Sequence, residues 1–297
     1  MKEFPDIILW SVPAFVLLIA LERLSYLVHD DDDKIGYGAR DTATSLTMGL
    51  GSVVTDAVWK VPVAAVYALL YSVTPLRVDE SWWSWPLILL AVDFCAYWSH
   101  RAHHRVRILW ATHVVHHSSQ RFNLSTALRQ PWTSLASGFF YLPLVLAGVH
   151  PAVVAFCGTV NLVYGFWVHT ERIDRLPRWY EALFSTPSHH RVHHASQGGY
   201  LDRNFGVILI VWDRFFGTFA PERERCRYGL TENIHTYNPL RVAFHEYAAI
   251  ARDVRGVGSW RHRVGLLFRP PGWTPAPAEL TAAGAVPPVG RTSSAPG

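Results

Sequence analysis

Residues 100–117 read HRAHHRVRILWATHVVHH and residues 189–194 read HHRVHH, so ten of the sixteen histidines lie in two short segments. On a helix, side chains at positions i and i+3 or i+4 project from one face and can bind one cation together. The histidines expected to share a cation in this way are His100 with His104, and His113 with His116 and His117. The motifs HxxxH, HxxHH and HxxHH offer two, three and three imidazoles. This donor capacity predicts a site for two metal ions.

The two segments contain no Asp, Glu or Cys, and this excludes several kinds of metal site. A thiolate zinc finger needs Cys, a protease helix of the HExxH type needs its Glu base, and a soluble di-iron bundle needs Glu-x-x-His repeats. Imidazole nitrogen binds iron, zinc, copper and nickel alike. The residue types by themselves therefore leave the metal open.

Long apolar segments indicate an integral membrane protein. The chain has 297 residues, of which 50% are hydrophobic and only 17% are charged, and it is more apolar than an ordinary soluble domain. Residues 7–27, 46–73 and 82–99 have, or nearly have, the length of about 20 apolar residues that a membrane-spanning helix needs. For residues 7–27 we favour an anchor helix over a signal peptide, because a basic start and an A-x-A cleavage site are absent.

Charged residues near these segments carry information about topology. Asp56 and Lys60 lie four residues apart in the second segment and are expected to neutralise each other there. The acidic residues 30–33 are expected to form a solvated connector. By the positive-inside rule, the side that carries the arginines near the histidine motifs is cytoplasmic. These arginines are Arg101, Arg105, Arg107, Arg121 and Arg129.

Residues 133–168 contain neither Lys nor Arg and predict a membrane hairpin. Residues 135–148 would enter the membrane and residues 152–168 would return from it. An even number of crossings would leave both histidine segments on one side, as a shared metal centre requires. His169 would arrive on that side too. It is the candidate for a ninth ligand, with interfacial hydrogen bonding as the alternative.

Further residues are candidates for supporting the ligands. One stripe of the third helix is formed by Asp93, Tyr97, His100 and His104. A carboxylate at Asp93 needs a partner in a membrane, and a hydrogen bond to a ligating imidazole would supply one. Helix–helix packing is the alternative. His103 and His189 each point about 100° away from a neighbouring motif histidine, so a supporting role and ligation both stay open for them.

The remaining sequence predicts a packing segment, a tail and an external source of electrons. Residues 204–222 are rich in aromatic side chains and either pack under the metal site, lie at the lipid interface or belong to an ordinary packed core. Residues 270–297 are rich in Pro and predict a disordered tail. The three cysteines form no CxxC pair and are expected to be free thiols. No dinucleotide-binding turn and no iron–sulfur spacing is present, so the donor must be a separate protein or a reduced cofactor. No basic stretch with stacking aromatics indicates nucleic acid.

The motifs resemble those of the fatty acid hydroxylase and sterol desaturase superfamily of membrane di-iron oxygenases. Within it the likeness is greatest to the alkylglycerol monooxygenases, and it covers residues 93–222. The segments that carry it are DFCAYWSHRAHH (93–104), NLSTALRQ (123–130), FWVHTERI (166–173), TPSHHRVHH (186–194) and NFGVILIVWDRFFGTF (204–219). The sequence departs from the alkylglycerol group at Arg105, where an acidic residue is expected.

The resemblance implies an enzyme, an oxygen-dependent hydroxylase or desaturase that acts on a lipid. Two iron ions would be its cofactor, dioxygen its co-substrate, and an external donor would supply electrons, with a reduced pterin as one candidate. Whether the lipid is a sterol, a fatty acyl chain, an ether lipid or an isoprenoid stays open. His169 matches the additional histidine of the family. The other implied iron ligands are His100, His104, His113, His116, His117, His190, His193 and His194.

We therefore expect an all-α, polytopic membrane protein with about four to five transmembrane helices and a cytoplasmic helical cap that carries the dinuclear site. The expected divisions are transmembrane helices at residues 1–80, a catalytic domain at 81–225, a cytoplasmic helical segment at 226–269 and the tail at 270–297. A zinc-dependent membrane lipid hydrolase and, behind it, a metal transporter are the alternatives. The hydrolase would need a carboxylate base near its ligands, and a transporter would place its ligands near the middle of its spans.

Overall fold

The structure is a computed structural model, and it describes residues 7–29 and 34–276. This part of the chain is helical and contains no β-strand, which confirms the all-α class. The acidic connector expected at residues 30–33 and the tail residues 277–297 lie outside the described residues. The helices are α1 (Ile7–Val28), α2 (Ala39–Val73), α3 (Ser84–Arg105), α4 (Arg107–His117), α5 (Leu135–Gly138), α6 (Leu142–Leu146), α7 (Pro151–Trp167), α8 (Arg178–Leu183), α9 (Pro187–His193), α10 (Val211–Phe215), α11 (Pro239–Gly256) and α12 (Trp260–Phe268), with 3-10 turns at Thr126–Leu128 and Phe139–Tyr141.

Two of the described helices have the length and apolarity of membrane spans. α1 has 22 residues and α2 has 35, and only 6% of the most apolar stretch of each is buried inside the protein. Most of their Leu and Val side chains are exposed, and Val63 and Leu70 of α2 pack against the core. Such a continuous apolar surface is stable against lipid and not against water. The chain is a membrane protein, and α1 and α2 are its candidate spans.

The segment expected to form a membrane hairpin is more broken than the sequence suggested. Its first leg consists of α5, a 3-10 turn and α6, because Pro143 has no N–H with which to continue a helix. Its second leg, α7, has 17 residues and begins at Pro151. The preceding residue, His150, caps the helix, since its Nδ1 accepts a hydrogen bond from the N–H of Ala152 at 3.2 Å. Both legs are shorter than α1 and α2. The number of membrane crossings therefore stays a prediction.

Asp56 of α2 is paired with this segment and not with its own helix. Its carboxylate accepts a hydrogen bond from the hydroxyl of Ser134, which precedes α5. Among the described ion pairs none joins Asp56 to Lys60, and Lys60 is exposed. The prediction of an ion pair between Asp56 and Lys60 is wrong, because the neutral hydroxyl of Ser134 bonds to the Asp56 carboxylate instead.

A break between α3 and α4 brings the first two histidine motifs together. α3 ends at Arg105, Val106 is extended with φ −122° and ψ 115°, and α4 begins at Arg107. The buried guanidinium of Arg107 binds the carboxylates of Glu246 at 2.8 Å and Asp253 at 2.6 Å, both on α11. α4 therefore packs beside α3 instead of continuing along its axis.

A buried ion pair connects α2 to the segment after α4. The guanidinium of Arg129, only 2% exposed, donates to the carboxylate of Asp41 at 2.7 Å and to the hydroxyls of Ser45 and Ser118 at 3.1 and 3.0 Å. Both charges are removed from water, so each needs the other. The carbonyl of Arg129 in turn accepts a hydrogen bond from Nδ1 of His116 at 3.3 Å. The ion pair thus fixes the position of a motif histidine.

We expect Asp41→Ala to lower the free energy of unfolding by about 3–5 kcal/mol, because it leaves the guanidinium of Arg129 buried without a counter-charge. The measurement is an SDS titration of the detergent-solubilised protein followed by tryptophan fluorescence. Asp79→Ala removes an exposed carboxylate between α2 and α3 and is the matched control. Equal unfolding curves for the two variants would contradict the role of the ion pair.

Candidate metal centre

Four parts of the chain direct histidine side chains at one buried region. α3 carries two of them at i and i+4, α4 and α9 supply the two HxxHH motifs, and one follows the end of α7. The candidate ligand atoms form two groups, and within each group they lie within 4.8 Å of one another. The five-histidine group is His100, His104, His113, His117 and His193, and the four-histidine group is His116, His169, His190 and His194. The structure thus brings together all nine histidines that the sequence singled out as ligands.

In the five-histidine group the Nε2 atom of His113 is central. It lies 2.9 Å from Nε2 of His100 and 3.2 Å from Nε2 of His117. The Nε2 atoms of His104 and His193 are buried and have no hydrogen-bond partner among the described residues. A buried polar atom without a partner is costly, so these two nitrogens lack a group that would bind them.

In the four-histidine group the Nε2 atom of His169 is central. It lies 3.0 Å from Nε2 of His116 and 2.9 Å from Nε2 of His190, which is itself 3.2 Å from Nε2 of His194. The two groups adjoin, since the rings of His117 and His194 stack with their centroids 4.3 Å apart. Two cations held here would be neighbours.

The structure divides each HxxHH motif between the two groups, which corrects the expectation that one motif serves one cation. His113 and His117 belong to the five-histidine group, whereas His116 belongs to the other. α9 repeats this arrangement, with its i and i+4 histidines in the four-histidine group and its i+3 histidine in the five-histidine group. Positions i and i+4 diverge by about 40° around a helix, whereas i+3 and i+4 diverge by about 100°. The adjacent histidines therefore point into different groups.

The hydrogen bonds at Nδ1 test whether the rings suit a metal. A carbonyl only accepts, so a neutral ring whose Nδ1 bonds to a carbonyl carries its proton there and leaves a bare lone pair on Nε2. His116 bonds in this way to the carbonyl of Arg129, and His169 bonds to that of Gly165 at 2.7 Å. Their two Nε2 lone pairs then face each other at 3.0 Å, which is repulsive unless a cation binds both. Nitrogens bound to one metal at about 2.1 Å and at right angles lie about 3 Å apart, so the residues fit a metal.

Burial keeps these rings neutral. Desolvation lowers the pKa of His116 from its ordinary value of 6.5 to about 4. It also lowers the pKa of His117, His190 and His194 well below that ordinary value, and repulsion between neighbouring rings acts in the same direction. At neutral pH the nitrogens therefore carry no extra proton that a metal would have to displace.

Residues 202–206 supply further partners that sequence reasoning missed. The carbonyls of Phe205 and Arg203 accept hydrogen bonds from Nδ1 of His100 at 2.8 Å and of His193 at 2.9 Å. The Phe205 ring also lies with its centroid 5.2 Å from that of His104, so this part of residues 204–222 packs against the histidines, whereas Phe215 is exposed. The one signal in the sequence was the group of Asp, Asn and Gly residues, which favour unusual backbone conformations.

His103 and His189, for which both roles stayed open, lie outside the two groups. Nδ1 of His103 donates to the carbonyl of Ser99 at 2.7 Å. Nδ1 of His189 lies 3.2 Å from the hydroxyl of Thr186. Each ring thus has a partner on its own helix or at the start of it, and neither directs a nitrogen at the grouped ligand atoms.

Asp93 and Tyr97 form hydrogen bonds with residues 208–218, the segment that follows the carbonyls of Arg203 and Phe205. Asp93 has a different partner from the ligating imidazole that the sequence suggested, because the turn before α10 brings backbone donors to its carboxylate. The hydroxyl of Tyr97 lies 2.9 Å from that of Thr218. The carboxylate of Asp93 accepts from the N–H groups of Ile208 at 3.0 Å, Leu209 at 3.2 Å and the Trp212 indole at 2.9 Å.

An arginine between the histidines of α9 anchors that helix. The buried Arg191 donates two hydrogen bonds to the carboxylate of Glu222, at 2.9 and 2.7 Å. Bidentate pairs of this kind are strong and directional. The guanidinium also donates to the carbonyls of Thr170, Ile173 and Asp174. Arg191 therefore holds α9 against the chain that follows His169.

Fold and site define a class of protein: an all-helical membrane protein with a buried candidate metal centre made of two adjoining groups of imidazoles. Residues 85–218 match the family model described as fatty acid hydroxylase, and this range contains all the grouped histidines. These residues are therefore similar to the fatty acid hydroxylase family.

Some curated relatives are similar along nearly the whole chain and others along about half of it. Alkylglycerol monooxygenase of Homo sapiens is 37% identical over 97% of this chain and 65% of the relative, and that of Danio rerio is 38% identical over 94% and 62%. The ornithine lipid hydroxylase of Rhizobium tropici is 30% identical over 46% of this chain and 43% of its own length. The chain thus spans less than two thirds of the length of these alkylglycerol monooxygenases. No solved structure matches significantly.

Proposed function

We propose that this protein is a membrane-bound, non-haem di-iron oxygenase that hydroxylates a lipid with dioxygen and external electrons. The observation that carries the proposal is the pair of adjoining, buried, all-imidazole groups within residues 85–218, which match the fatty acid hydroxylase family model. The five-histidine group and the four-histidine group are the proposed ligand sets, one for each iron. His169 then ligates together with the eight motif histidines.

Two iron ions held by these groups would supply the activation of dioxygen. Hydroxylation of a C–H bond places one oxygen atom in the product and releases the other as water, which consumes two electrons and two protons. Desaturation begins with the same removal of hydrogen from carbon, so it is the alternative outcome. The imidazoles stay neutral and act as ligands, and they need not transfer protons.

The residues around the groups orient the ligands and keep water away. Backbone carbonyls hold the Nδ1 protons of at least two rings in each group. One buried phenylalanine lies against each group, Phe205 beside His104 and Phe122 beside His194, with ring centroids 5.2 Å apart in both cases. An apolar shell of this kind controls solvent access and the local dielectric at a metal site.

The comparisons support an alkylglycerol as the first substrate to test. Three relatives named for that substrate match 94–97% of this chain and a fourth matches 66%, whereas the ornithine lipid hydroxylase and a cholesterol 25-hydroxylase-like protein of Danio rerio match 46%. Arg105, the position that departs from the alkylglycerol group, forms an ion pair with Asp202 at 2.7 Å. Asp202 also lies 3.7 Å from Nδ1 of His104. This departure therefore borders the proposed iron ligands.

Electrons are proposed to come from outside the chain, from a separate electron-transfer protein or a reduced pterin. The three cysteines are free and buried, as expected, and offer no redox pair. The arginines near the histidine motifs support a cytoplasmic position for the site and for the helical cap. We retain the proposed division into transmembrane helices up to residue 80, a catalytic domain at 81–225 and a cytoplasmic segment at 226–269.

Metal content provides the first test. The protein is produced in cells supplied with iron-57 and purified in detergent. It should hold about two irons per chain, one for each ligand group, and its Mössbauer spectrum should change on reduction and on exposure to oxygen. We expect His116→Ala and His194→Ala to lose iron from the four-histidine group, because each leaves it three donors. His103→Ala is the matched control, since this ring lies outside both groups.

Full iron content in His194→Ala would sink the ligand assignment, and so would equal losses in His103→Ala and His194→Ala. A chain that binds one zinc tightly and cannot be loaded with iron would favour the zinc-dependent lipid hydrolase. Among the described residues neither group contains the carboxylate that such a hydrolase would use as a base. Metal transfer across proteoliposomes without lipid turnover would favour the transporter.

Oxygen incorporation provides the second test. We expect reconstituted, iron-loaded protein with a reductant and an alkylglycerol to place one atom from labelled dioxygen into the lipid product. His116→Ala and His194→Ala should abolish this reaction together with the iron signal of the four-histidine group, whereas His103→Ala should retain both. Label that enters from water instead of dioxygen would contradict the oxygenase.

A further inference from the structure

The loop of residues 202–206, which lies between α9 and α10, faces one of the two ligand groups. Its carbonyls at Arg203 and Phe205 bind the Nδ1 atoms of His193 and His100, and its Asp202 carboxylate lies near Nδ1 of His104. These are three members of the five-histidine group. Among the described hydrogen bonds, those at Nδ1 of His116 and His169 in the four-histidine group go to other segments. Through these Nδ1 contacts the loop therefore supports the five-histidine group and not the four-histidine group.

The loop has an unusual backbone conformation. Asp202 has φ 57° and Asn204 has φ 55°, and the described residues contain only one other non-glycine residue with positive φ. At Gly206 a Cβ atom would lie 2.4 Å from the carbonyl oxygen of Leu209, so only glycine fits. Such conformations cost free energy and persist where the surroundings hold them in place. Neighbouring groups must therefore stabilise the conformation of this loop.

Two peptide units of the loop are held from the side opposite the histidines. The N–H of Gly206 donates to the carboxylate of the fully buried Asp213 at 2.7 Å, and the N–H of Asn204 donates to the carbonyl of Thr218 at 3.1 Å. In a trans peptide the N–H and the preceding C=O point in opposite directions. Holding these two N–H groups therefore aims the carbonyls of Phe205 and Arg203 at the imidazoles.

Asp213 is the centre of this support. Its carboxylate also accepts from the N–H of Phe205 at 2.8 Å and from the hydroxyl of Thr218 at 2.6 Å. Its own carbonyl accepts from the N–H of Thr218 at 2.8 Å, which places the Thr218 carbonyl within reach of Asn204. Both peptide units thus depend on one aspartate that touches no histidine ring.

We propose that Asp213 is a positioning residue for the five-histidine group, which it orients through the carbonyls of residues 203 and 205. This proposal rests on the proposed metal function of that group. A carbonyl at Nδ1 fixes the tautomer and the ring orientation of a ligating histidine, and loss of such a partner typically lowers metal affinity about 10–100-fold. The effect belongs to the five-histidine group alone.

Asp213→Asn tests the proposal with cobalt(II) as the probe. The amide keeps one acceptor oxygen and turns its NH₂ group toward a backbone N–H. Of the N–H groups of Phe205 and Gly206, which both donate to the Asp213 carboxylate, one therefore loses its acceptor. The full-length, metal-free protein in detergent is titrated with cobalt(II), and visible absorption and tight-binding stoichiometry are recorded. We expect two tight sites in the wild type. In the variant we expect one unchanged site and one weakened about 10–100-fold.

A second variant separates positioning from general damage. Asp202→Asn changes the partly exposed end of the loop and retains a residue that tolerates positive φ, so it tests the loop even where Asp213→Asn fails to fold. We expect it to weaken cobalt binding at the same group. Asp79→Asn is the control for loss of a charge.

The proposal would be overturned if Asp213→Asn bound cobalt(II) at two sites with wild-type affinity, or if both groups were weakened equally. If Asp213→Asn does not fold, wild-type cobalt affinity in Asp202→Asn would overturn it. A wild-type chain that binds no pair of metal ions would instead overturn the proposed function itself. The stoichiometry of the wild type therefore separates the two failures.

Discussion

Neutral imidazoles whose bare nitrogens face one another inside a protein are the constraint on which this structure depends. Nε2 of His169 and Nε2 of His116 lie 3.0 Å apart while the Nδ1 atoms of both rings are committed to carbonyls. Without a cation this arrangement is repulsive, and a chain that folds this way must hold its ligand segments firmly. Rigid support of metal ligands by surrounding groups is a general requirement of such sites.

Buried arginines provide much of this support. Arg107 fixes the start of α4 on α11, Arg129 fixes the segment after α4 on α2, and Arg191 fixes α9 on Glu222. Each guanidinium is paired with at least one carboxylate, so its burial is compensated. From the sequence, Arg107 and Arg129 indicated only which side of the membrane is cytoplasmic. In the structure, their ion pairs fix the positions of the segments that carry or support the motif histidines.

The candidate spans are connected to the centre by a carboxylate. Glu22 of α1 is buried and accepts hydrogen bonds from the hydroxyls of Tyr37 and Thr170 and from the N–H of Leu124, at 2.8 Å for the last. Thr170 directly follows His169. The end of the apolar, outward-facing helix α1 is thereby attached next to a proposed ligand. Residues 85–218, which match the fatty acid hydroxylase family model, are thus connected to a candidate membrane span.

Residue types and local spacing were enough to predict the helical class, the two apolar helices and the eight histidines of the three motifs, because helix periodicity and imidazole chemistry are local properties. His169 was expected from the predicted hairpin and the family resemblance, and metal binding by the nine histidines stays a prediction. The division of His116 from His117 between two groups, the break at Val106 and the partners of Asp93 needed the tertiary structure. Periodicity sets the angle between neighbouring side chains but not which cation each one faces, since that depends on how helices cross. The carbonyls of residues 203 and 205 are invisible in a sequence, because every residue has a carbonyl and only the fold decides where it points.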